Sequence, residues 1–340
     1  MKFTSFCTTK GAAKHPVKRI AFIMLIALIS SLNSNSAKAA TTVATTATTA
    51  ATMSISTSSQ TTSAVEYQIG SMYVEEYLNP NAKGAPIILI PGLSSGGYIW
   101  DETVKALRKE HSLYVITLAG FNGKPAIAGP KIIKAKQSLL ELITSKQIDK
   151  PILVGHSLGS LLSTWFAVDH SALIRGVFAI DGLPVFPRTE NIPTAQRPAM
   201  AQAAKTQMAN VTLAVFAEQQ LQYMRGMGVV DEKNAQTLAE LSSKSDRVAV
   251  AEYMSELLEM DIRADLPKIS VPFTFISPYY APDFAPANLS EDAKHAYYGT
   301  LLKGIPQLNI VGITNSRHFP MVDQPKVFAD KLAQFIKSLP

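Results

Sequence analysis

Short apolar runs alternate with longer amphipathic stretches along most of this chain. The runs are rich in Ile, Val and Phe, and they read PIILIPG (86–92), LYVITLAG (113–120), PILVGHS (151–157), GVFAID (176–181), PFTFIS (272–277) and LNIVGI (308–313). The stretches between them carry apolar residues at helical spacing. This alternation predicts an α/β fold, in which a mostly parallel sheet is flanked by helices. An earlier segment, 65–79, alternates as an antiparallel pair at the sheet edge would.

One long interval interrupts this alternation. Residues 183–268 contain several helical segments and no strand candidate. An insertion at this place lies over the carboxyl ends of the strands, where ligands bind in open α/β folds. We therefore predict an inserted helical cap, or lid. Its methionines suit a pliable apolar pocket, although packing inside a helical bundle explains each of them equally well.

The first 39 residues predict a secretory signal peptide. Residues 1–19 carry five basic and no acidic side chains, and the apolar run at 20–32 follows them. That run is too short for a comfortable membrane span, which needs about 20 residues. The small residues at 37–39 favour cleavage before Ala40, although an uncleaved anchor is the alternative. We expect an exported protein, periplasmic or extracellular, with no stable membrane association after cleavage.

A tract of Thr, Ala and Ser occupies residues 40–63 and predicts a flexible linker, because it buries too little apolar surface to offset its ordering entropy. The folded domain is accordingly expected at 64–340. Without the six basic residues of the predicted signal peptide, 26 basic and 26 acidic residues remain. No excess of positive charge then predicts a nucleic-acid partner. The single cysteine, Cys7, also precedes the predicted cleavage site, so neither a disulfide nor a thiol nucleophile is expected.

The segment GHSLG (155–159) has the pattern G-x-S-x-G between a strand candidate and a helix candidate. Glycines on both sides of a serine leave room for a sharp turn and for close passage of the strand and the helix. Such a turn presents the Ser157 hydroxyl above the sheet, beside helix amides that favour developing negative charge. Ser157 is therefore our candidate nucleophile, and a serine that caps the helix is the structural alternative.

A serine nucleophile needs a base from elsewhere in the chain. His318 lies in NSRHFPMVDQP (315–325), just beyond the last strand candidate and ahead of the closing helix. A loop at that strand end projects toward Ser157, so His318 is the candidate base. The sequence contains no H-E-x-x-H, C-x-x-C, G-x-G-x-x-G or P-loop pattern. It therefore predicts neither a metal site nor a nucleotide cofactor.

Three segments in a fixed order, PGL (91–93), GHSLG and SRHF…DQP, resemble the α/β-hydrolase fold superfamily, in its esterase and lipase-like branch with a helical cap. The resemblance implies an enzyme with a small-molecule ester substrate. It also implies an oxyanion hole made by the backbone amides of Leu93 and Leu158. Family members often have His-Gly where this chain has Pro91-Gly92. Because the hydrogen bonds to the oxyanion come from backbone amides, this difference does not change the expected oxyanion hole.

In this family a carboxylate completes a catalytic triad with the serine and the histidine, because it fixes the tautomer of the imidazole and stabilises its cation. The position of this acid is where the sequence departs from the family pattern. Family members usually place the acid in the loop that follows the strand PFTFIS. Here that loop contains Asp283, which comes about two residues later than expected. Asp181, at the end of GVFAID, occupies a position that other branches of the fold use. The sequence leaves both candidates open.

These observations predict an exported serine hydrolase that cleaves carboxylic esters, thioesters or lactones through an acyl-enzyme on Ser157. An amide hydrolase or a cofactor-free haloperoxidase would use the same triad. A non-catalytic ligand-binding protein with a decayed triad is a further alternative, raised by the late position of Asp283. Substrate identity and oligomeric state do not follow from the sequence.

Overall fold

The computed structural model describes residues 64–340. The predicted signal peptide (1–39) and linker (40–63) lie outside the described residues. Within 64–340, eight strands form one sheet in the order β1-β2-β4-β3-β5-β6-β7-β8. The strands are β1 (Val65–Ile69), β2 (Met72–Tyr77), β3 (Ile87–Ile90), β4 (Leu113–Leu118), β5 (Ile152–His156), β6 (Gly176–Ile180), β7 (Phe273–Tyr279) and β8 (Leu308–Thr314).

Strands β3 to β8 are mutually parallel, whereas β2 pairs antiparallel with both β1 and β4. Each of the six predicted apolar runs covers most or all of one parallel strand, and the antiparallel edge pair lies in the predicted segment 65–79. The predicted fold class is therefore confirmed.

The helices that connect and follow the strands are α1 (Asp101–Leu107), α2 (Lys131–Ser145), α3 (Leu158–His170), α4 (Arg197–Ala209), α5 (Leu213–Tyr223), α6 (Glu232–Ser242), α7 (Arg247–Glu259), α8 (Ala281–Phe284), α9 (Glu291–Leu301), α10 (Pro320–Asp323) and α11 (Pro325–Ser338).

The continuous apolar character of the central strands has a direct cause, because both faces of the sheet are covered. Successive side chains of a strand point to opposite faces. In β3, Ile88 and Ile90 pack in one core cluster with α2 and α3. Ile87 and Leu89 pack in a second cluster with α1 and α11. All four residues of β3 are fully buried.

Between β6 and β7 the chain leaves the sheet and forms α4 to α7, within the interval predicted as a cap. Helix α4 packs against α7, and α5 packs against α6. A π-helical segment (Met224–Gly228) extends α5. In the part of the chain that the structure describes, no helix has both the length and the apolar character required to cross a bilayer.

Candidate active site

Ser157 occupies the turn between β5 and α3. Its backbone lies at φ 54° and ψ −114°, a conformation that a residue with a side chain rarely adopts. The Ser157 amide donates a hydrogen bond of 2.8 Å to the Ile180 carbonyl at the end of β6. The strained turn is thus fixed to the neighbouring strand.

Close backbone contacts explain why small residues surround this turn. A Cβ atom at Gly155 would lie 2.2 Å from the Gly159 carbonyl oxygen, and one at Gly159 would lie 2.3 Å from that of Ile90. A Cβ atom at Gly182 would lie 2.0 Å from the Ser157 carbonyl oxygen. Since each contact is with backbone, no side-chain movement would relieve it. The loop after β6 therefore needs a glycine as much as the turn itself does.

Leu93 and Leu158, the two residues predicted to form an oxyanion hole, both line the cavity that contains Ser157. Leu158 is the first residue of α3, where backbone amides have no partner within the helix. Leu93 lies in the loop after β3. Neither backbone amide donates a hydrogen bond to another described residue. Both amides are therefore available to a ligand.

His318 is hydrogen-bonded to Asp181, one of the two candidate acids. His318 Nδ1 lies 2.7 Å from Asp181 Oδ2, and both side chains are largely buried. Because an ionised carboxylate only accepts hydrogen bonds, Nδ1 carries the proton and Nε2 is left as the basic nitrogen. This is the tautomer that a general base for serine requires.

Asp283, the other candidate acid, is bonded to a different partner. Its two carboxylate oxygens accept hydrogen bonds from the Arg317 guanidinium, each at 2.8 Å. Of the two candidate acids that the sequence leaves open, Asp181 contacts His318 in this structure and Asp283 contacts Arg317. The physical reason is the placement of Asp283 on the short helix α8, where it faces the residue before the histidine.

Two residues of α9 complete the surroundings of Asp181. Its Oδ1 accepts a hydrogen bond of 2.9 Å from the Tyr298 hydroxyl, and the Lys294 ammonium lies 3.8 Å from the same oxygen. Burial alone would raise the pKa of Asp181. The Lys294 charge and the hydrogen bonds from His318 and Tyr298 outweigh burial and hold that pKa well below its usual range. Asp181 is thus held as an anion in a buried position.

Lys294 and Tyr298 were not recognised in the sequence. Lys294 is only 5% exposed. Burial lowers its pKa, and the Asp181 carboxylate opposes that effect. The two residues are four positions apart, a spacing that places them on one face of a helix. That spacing is the sequence signal that was available, but it acquires meaning only once α9 is known to pack beside the triad.

His156, the residue before the nucleophile, supports the loop of the candidate base. Its Nε2 bonds to the His318 carbonyl oxygen at 2.9 Å, and its ring packs 4.4 Å from that of Phe319. Burial lowers the pKa of His156 far below its usual range, and the neighbouring His318 adds to this effect. A neutral, fully buried imidazole therefore donates this hydrogen bond and fixes the loop.

Ser157 and His318 line one cavity of about 280 Å³. No hydrogen bond joins the two side chains in the described part of the chain. Contacts between a nucleophile and its base often tighten only when a substrate is bound. The arrangement brings together Ser157, His318 and Asp181 at the carboxyl ends of β5, β6 and β8, and it places Asp283 in the cavity wall with a separate partner.

The cap is hydrogen-bonded directly to the loop that carries His318. The His318 and Phe319 amides each donate a bond of 3.1 Å to the carbonyls of Met227 and Gly228. The Arg317 guanidinium donates another, of 3.0 Å, to the Val229 carbonyl. Because these acceptors lie at the π-helical end of α5, the position of the cap is tied to the loop that carries the base.

The rest of the cavity wall is mainly apolar and comes largely from the cap. Its apolar members include Leu161, Leu183, Val185, Met208, Phe216, Met227, Val250, Met254 and Leu257. Such a lining, with a few polar groups, is typical of a small-molecule site. Within residues 64–340, no group of three or more His, Cys, Asp or Glu side chains is arranged to hold a metal ion.

Comparisons with known proteins agree with this architecture. A pimeloyl-[acyl-carrier protein] methyl ester esterase of Vibrio cholerae serotype O1 is 23% identical over 261 residues, which cover 76% of this chain and 97% of that protein. An esterase from Exiguobacterium antarcticum shares the fold with a TM-score of 0.64 at 15% identity, over 78% of this chain and 96% of that one. A bromoperoxidase from Bacillus anthracis has a TM-score of 0.64 at 20% identity, over 81% of this chain and 100% of that one. Residues 87–331 match the profile of the Alpha/beta hydrolase family, and the chain belongs to that family.

Proposed function

We propose that this protein is a serine hydrolase that cleaves carboxylic esters, including thioesters or lactones, through an acyl-enzyme on Ser157. The observation that carries the proposal is the hydrogen bond between His318 and Asp181, beside a cavity that also contains Ser157. The similarity to pimeloyl-[acyl-carrier protein] methyl ester esterases supports ester cleavage. The mainly apolar cavity suits a substrate with a small to medium apolar part.

The mechanism follows from the positions of these groups. His318 Nε2 accepts the proton of the Ser157 hydroxyl as its oxygen attacks the ester carbonyl. The Leu93 and Leu158 amides donate hydrogen bonds to the resulting oxyanion, and losing one such donor costs about 2.7 to 4 kcal/mol of transition-state stabilisation. His318 then gives the proton to the leaving alcohol, and the acyl-enzyme remains.

Water completes the cycle by the same chemistry. His318 removes a proton from the water as it attacks the acyl carbon, and then returns a proton to Ser157 as the acid leaves. Asp181 holds the imidazole in the required tautomer and stabilises its cation. Lys294 and Tyr298 keep Asp181 ionised despite its burial.

The His318–Asp181 contact also bears on the ligand-binding alternative. The late position of Asp283 suggests a decayed triad, whereas the hydrogen bond between His318 and Asp181 supports a complete one. An amide hydrolase and a cofactor-free haloperoxidase would still use the same residues. We favour the esterase because the curated relatives that align along most of this chain are ester hydrolases by name.

Export is a separate part of the proposal and rests on the sequence alone. The basic segment 1–19, the apolar run 20–32 and the small residues at 37–39 have the order of a secretory signal peptide. We propose cleavage before Ala40 and a periplasmic or extracellular location. Mass spectrometry of the protein recovered from outside the cytoplasm tests this directly, and an intact N-terminus there would contradict it.

A comparison of two matched substrates tests the reaction class. We expect the parent to hydrolyse p-nitrophenyl butyrate much faster than the p-nitroanilide of the same acid, and we expect no halogenation when a carboxylic acid, peroxide and bromide are supplied together. Ser157→Ala is the blank for each assay. Preferential cleavage of the anilide, or halogenation that depends on Ser157, would contradict the ester assignment.

A further inference from the structure

The charged side chains that line the cavity, histidine aside, include one more cation than anions. Besides histidine, the charged side chains in its wall are Asp181, Asp283, Lys294, Arg317 and Arg247. Lys294 is paired with Asp181, and Arg317 is paired with Asp283. Within residues 64–340, Arg247 has no carboxylate within 4 Å. The cavity wall therefore has one cation without an internal counterion.

Among the described residues, the Arg247 guanidinium is hydrogen-bonded through Nε alone. Its Nε donates a hydrogen bond of 2.6 Å to the Val211 carbonyl. Its two terminal nitrogens make no hydrogen bond to another described residue. In contrast, Arg197, Arg225 and Arg263 of the cap region each pair with a carboxylate. A guanidinium fixed through Nε keeps its planar fork of donors for a carboxylate ligand.

Arg247 begins a helical face that lines the cavity. Val250, Met254 and Leu257 follow it in the wall at positions i+3, i+7 and i+10 of α7. These three side chains are apolar, so the surface that leads away from the arginine suits a hydrocarbon chain. The wall thus combines an apolar strip with one cation at its end.

Helix α5 separates Arg247 from the candidate base, His318. The ring of Tyr223, the last residue of α5, lies 6.3 Å from the His318 ring. Val211, which holds Arg247, precedes the first residue of the same helix by two positions. Eleven helical residues span about 16 Å at 1.5 Å per residue. Arg247 is therefore anchored at the opposite end of α5 from the histidine.

We propose that Arg247 binds a carboxylate at the far end of the substrate's acyl chain, so that the substrates are esters of medium-length acids whose acyl chain ends in an anionic group. This inference rests on the proposed esterase activity. The acyl side is assigned because the leaving alcohol must lie beside His318, which protonates it, whereas Arg247 is anchored at the other end of α5.

Two esters of equal chain length test the proposal. One is p-nitrophenyl octanoate, and the other is the mono-p-nitrophenyl ester of octanedioic acid, which differs by its terminal carboxylate. We expect the parent to have a kcat/KM about 10- to 100-fold higher for the anionic ester, the range of one hydrogen-bonded charge pair. In Arg247→Met this ratio should fall to about one or below. Arg247→Lys should keep part of the preference, because it keeps the charge but loses the fork.

Lys233→Met is the matched control, since Lys233 is an exposed cation of the cap that does not line the cavity. It should keep the parental ratio. Equal kcat/KM values for the two esters in the parent, or an undiminished preference in Arg247→Met, would overturn the proposal. A loss of the ratio in Lys233→Met equal to that in Arg247→Met would overturn it as well, because the preference would then reflect the overall charge of the cap.

A binding measurement separates this proposal from the esterase assignment. If neither ester is hydrolysed faster by the parent than by Ser157→Ala, the proposed reaction fails. Calorimetry with the monomethyl ester of octanedioic acid then still tests the anion site without turnover. Binding to Ser157→Ala at least about tenfold tighter than to Ser157→Ala/Arg247→Met supports the site, and equal affinities contradict it.

Discussion

His318 Nδ1 lies 2.7 Å from a carboxylate oxygen of Asp181, at the ends of two strands that are not adjacent in the chain. Asp283, the other candidate acid, is bonded to Arg317. The two aspartates therefore have different expected effects on catalysis. A pair of isosteric substitutions distinguishes them.

Asp181→Asn should lower kcat about 10,000-fold in the folded protein, because the amide would favour the wrong tautomer of the imidazole. It should also lower the free energy of unfolding, because the buried Lys294 charge loses its partner. Asp283→Asn should cost about tenfold or less, since it weakens the pairing of Arg317 without touching His318. Steady-state kinetics with p-nitrophenyl butyrate measure both effects. A larger loss in Asp283→Asn than in Asp181→Asn would contradict the assignment.

Lys294 lies beside Asp181 in a buried position, so removing its charge should destabilise the fold. Lys294→Met should lower the free energy of unfolding by about 3 kcal/mol, because the loss of one partner leaves the other charge poorly compensated. Urea denaturation measures the change. Lys326→Met is the control: Lys326 also pairs with an aspartate but is 88% exposed at its side chain, so little change is expected. Equal effects of the two substitutions would contradict the special role of Lys294.

The low pKa of Asp181 predicts a dependence of stability on acid. Its pKa in the folded protein lies below that of an unfolded chain, so the unfolded state binds more protons as the pH falls. The stabilisation is present above the unfolded pKa of about 3.9 and is lost as the pH falls through the folded value. The unfolding free energy of the parent should therefore begin to decrease near pH 5 and continue to decrease below pH 3, and it should do so less steeply in Asp181→Asn. An unchanged slope in Asp181→Asn would contradict this account.

Gly159→Ala should disrupt the turn that carries Ser157, because its Cβ atom would lie 2.3 Å from a backbone oxygen of β3. Crowding against backbone cannot be relieved by a rotamer change, and we expect a loss of stability of about 3 kcal/mol or more. Gly226→Ala is the matched control, since a Cβ atom there would meet nothing within 4 Å. Thermal unfolding of the two variants makes the comparison. Similar unfolding temperatures would contradict the packing described for the turn.

Much of this architecture could be predicted from the sequence, because the information is local. Burial on both faces makes each parallel strand a continuous apolar run, and the turn at Ser157 needs glycines at fixed offsets. His318 was identifiable because it follows the last strand closely. The long strand-free interval likewise indicated an insertion over the sheet.

The environment of the acid could not be predicted, because it depends on contacts between distant segments. Asp181 and Asp283 follow adjacent strands, and the choice between them depends on which way each loop turns. Asp283 faces Arg317 because α8 begins immediately after β7. Lys294 and Tyr298 belong to a helix whose pattern is mostly polar, and the tie between His318 and the cap uses backbone atoms. The four-residue spacing of Lys294 and Tyr298 does not by itself identify their role, and the other features have no local sequence signal.

The most direct test of the central claim is labelling with a fluorophosphonate, which reacts with a serine that an adjacent base activates. The parent should be labelled on the peptide that contains Ser157, as mapped by mass spectrometry, and Ser157→Ala and His318→Ala should not be labelled. Absence of labelling in the parent under conditions where it is folded, or labelling of a different serine, would contradict the proposal that Ser157 is the nucleophile.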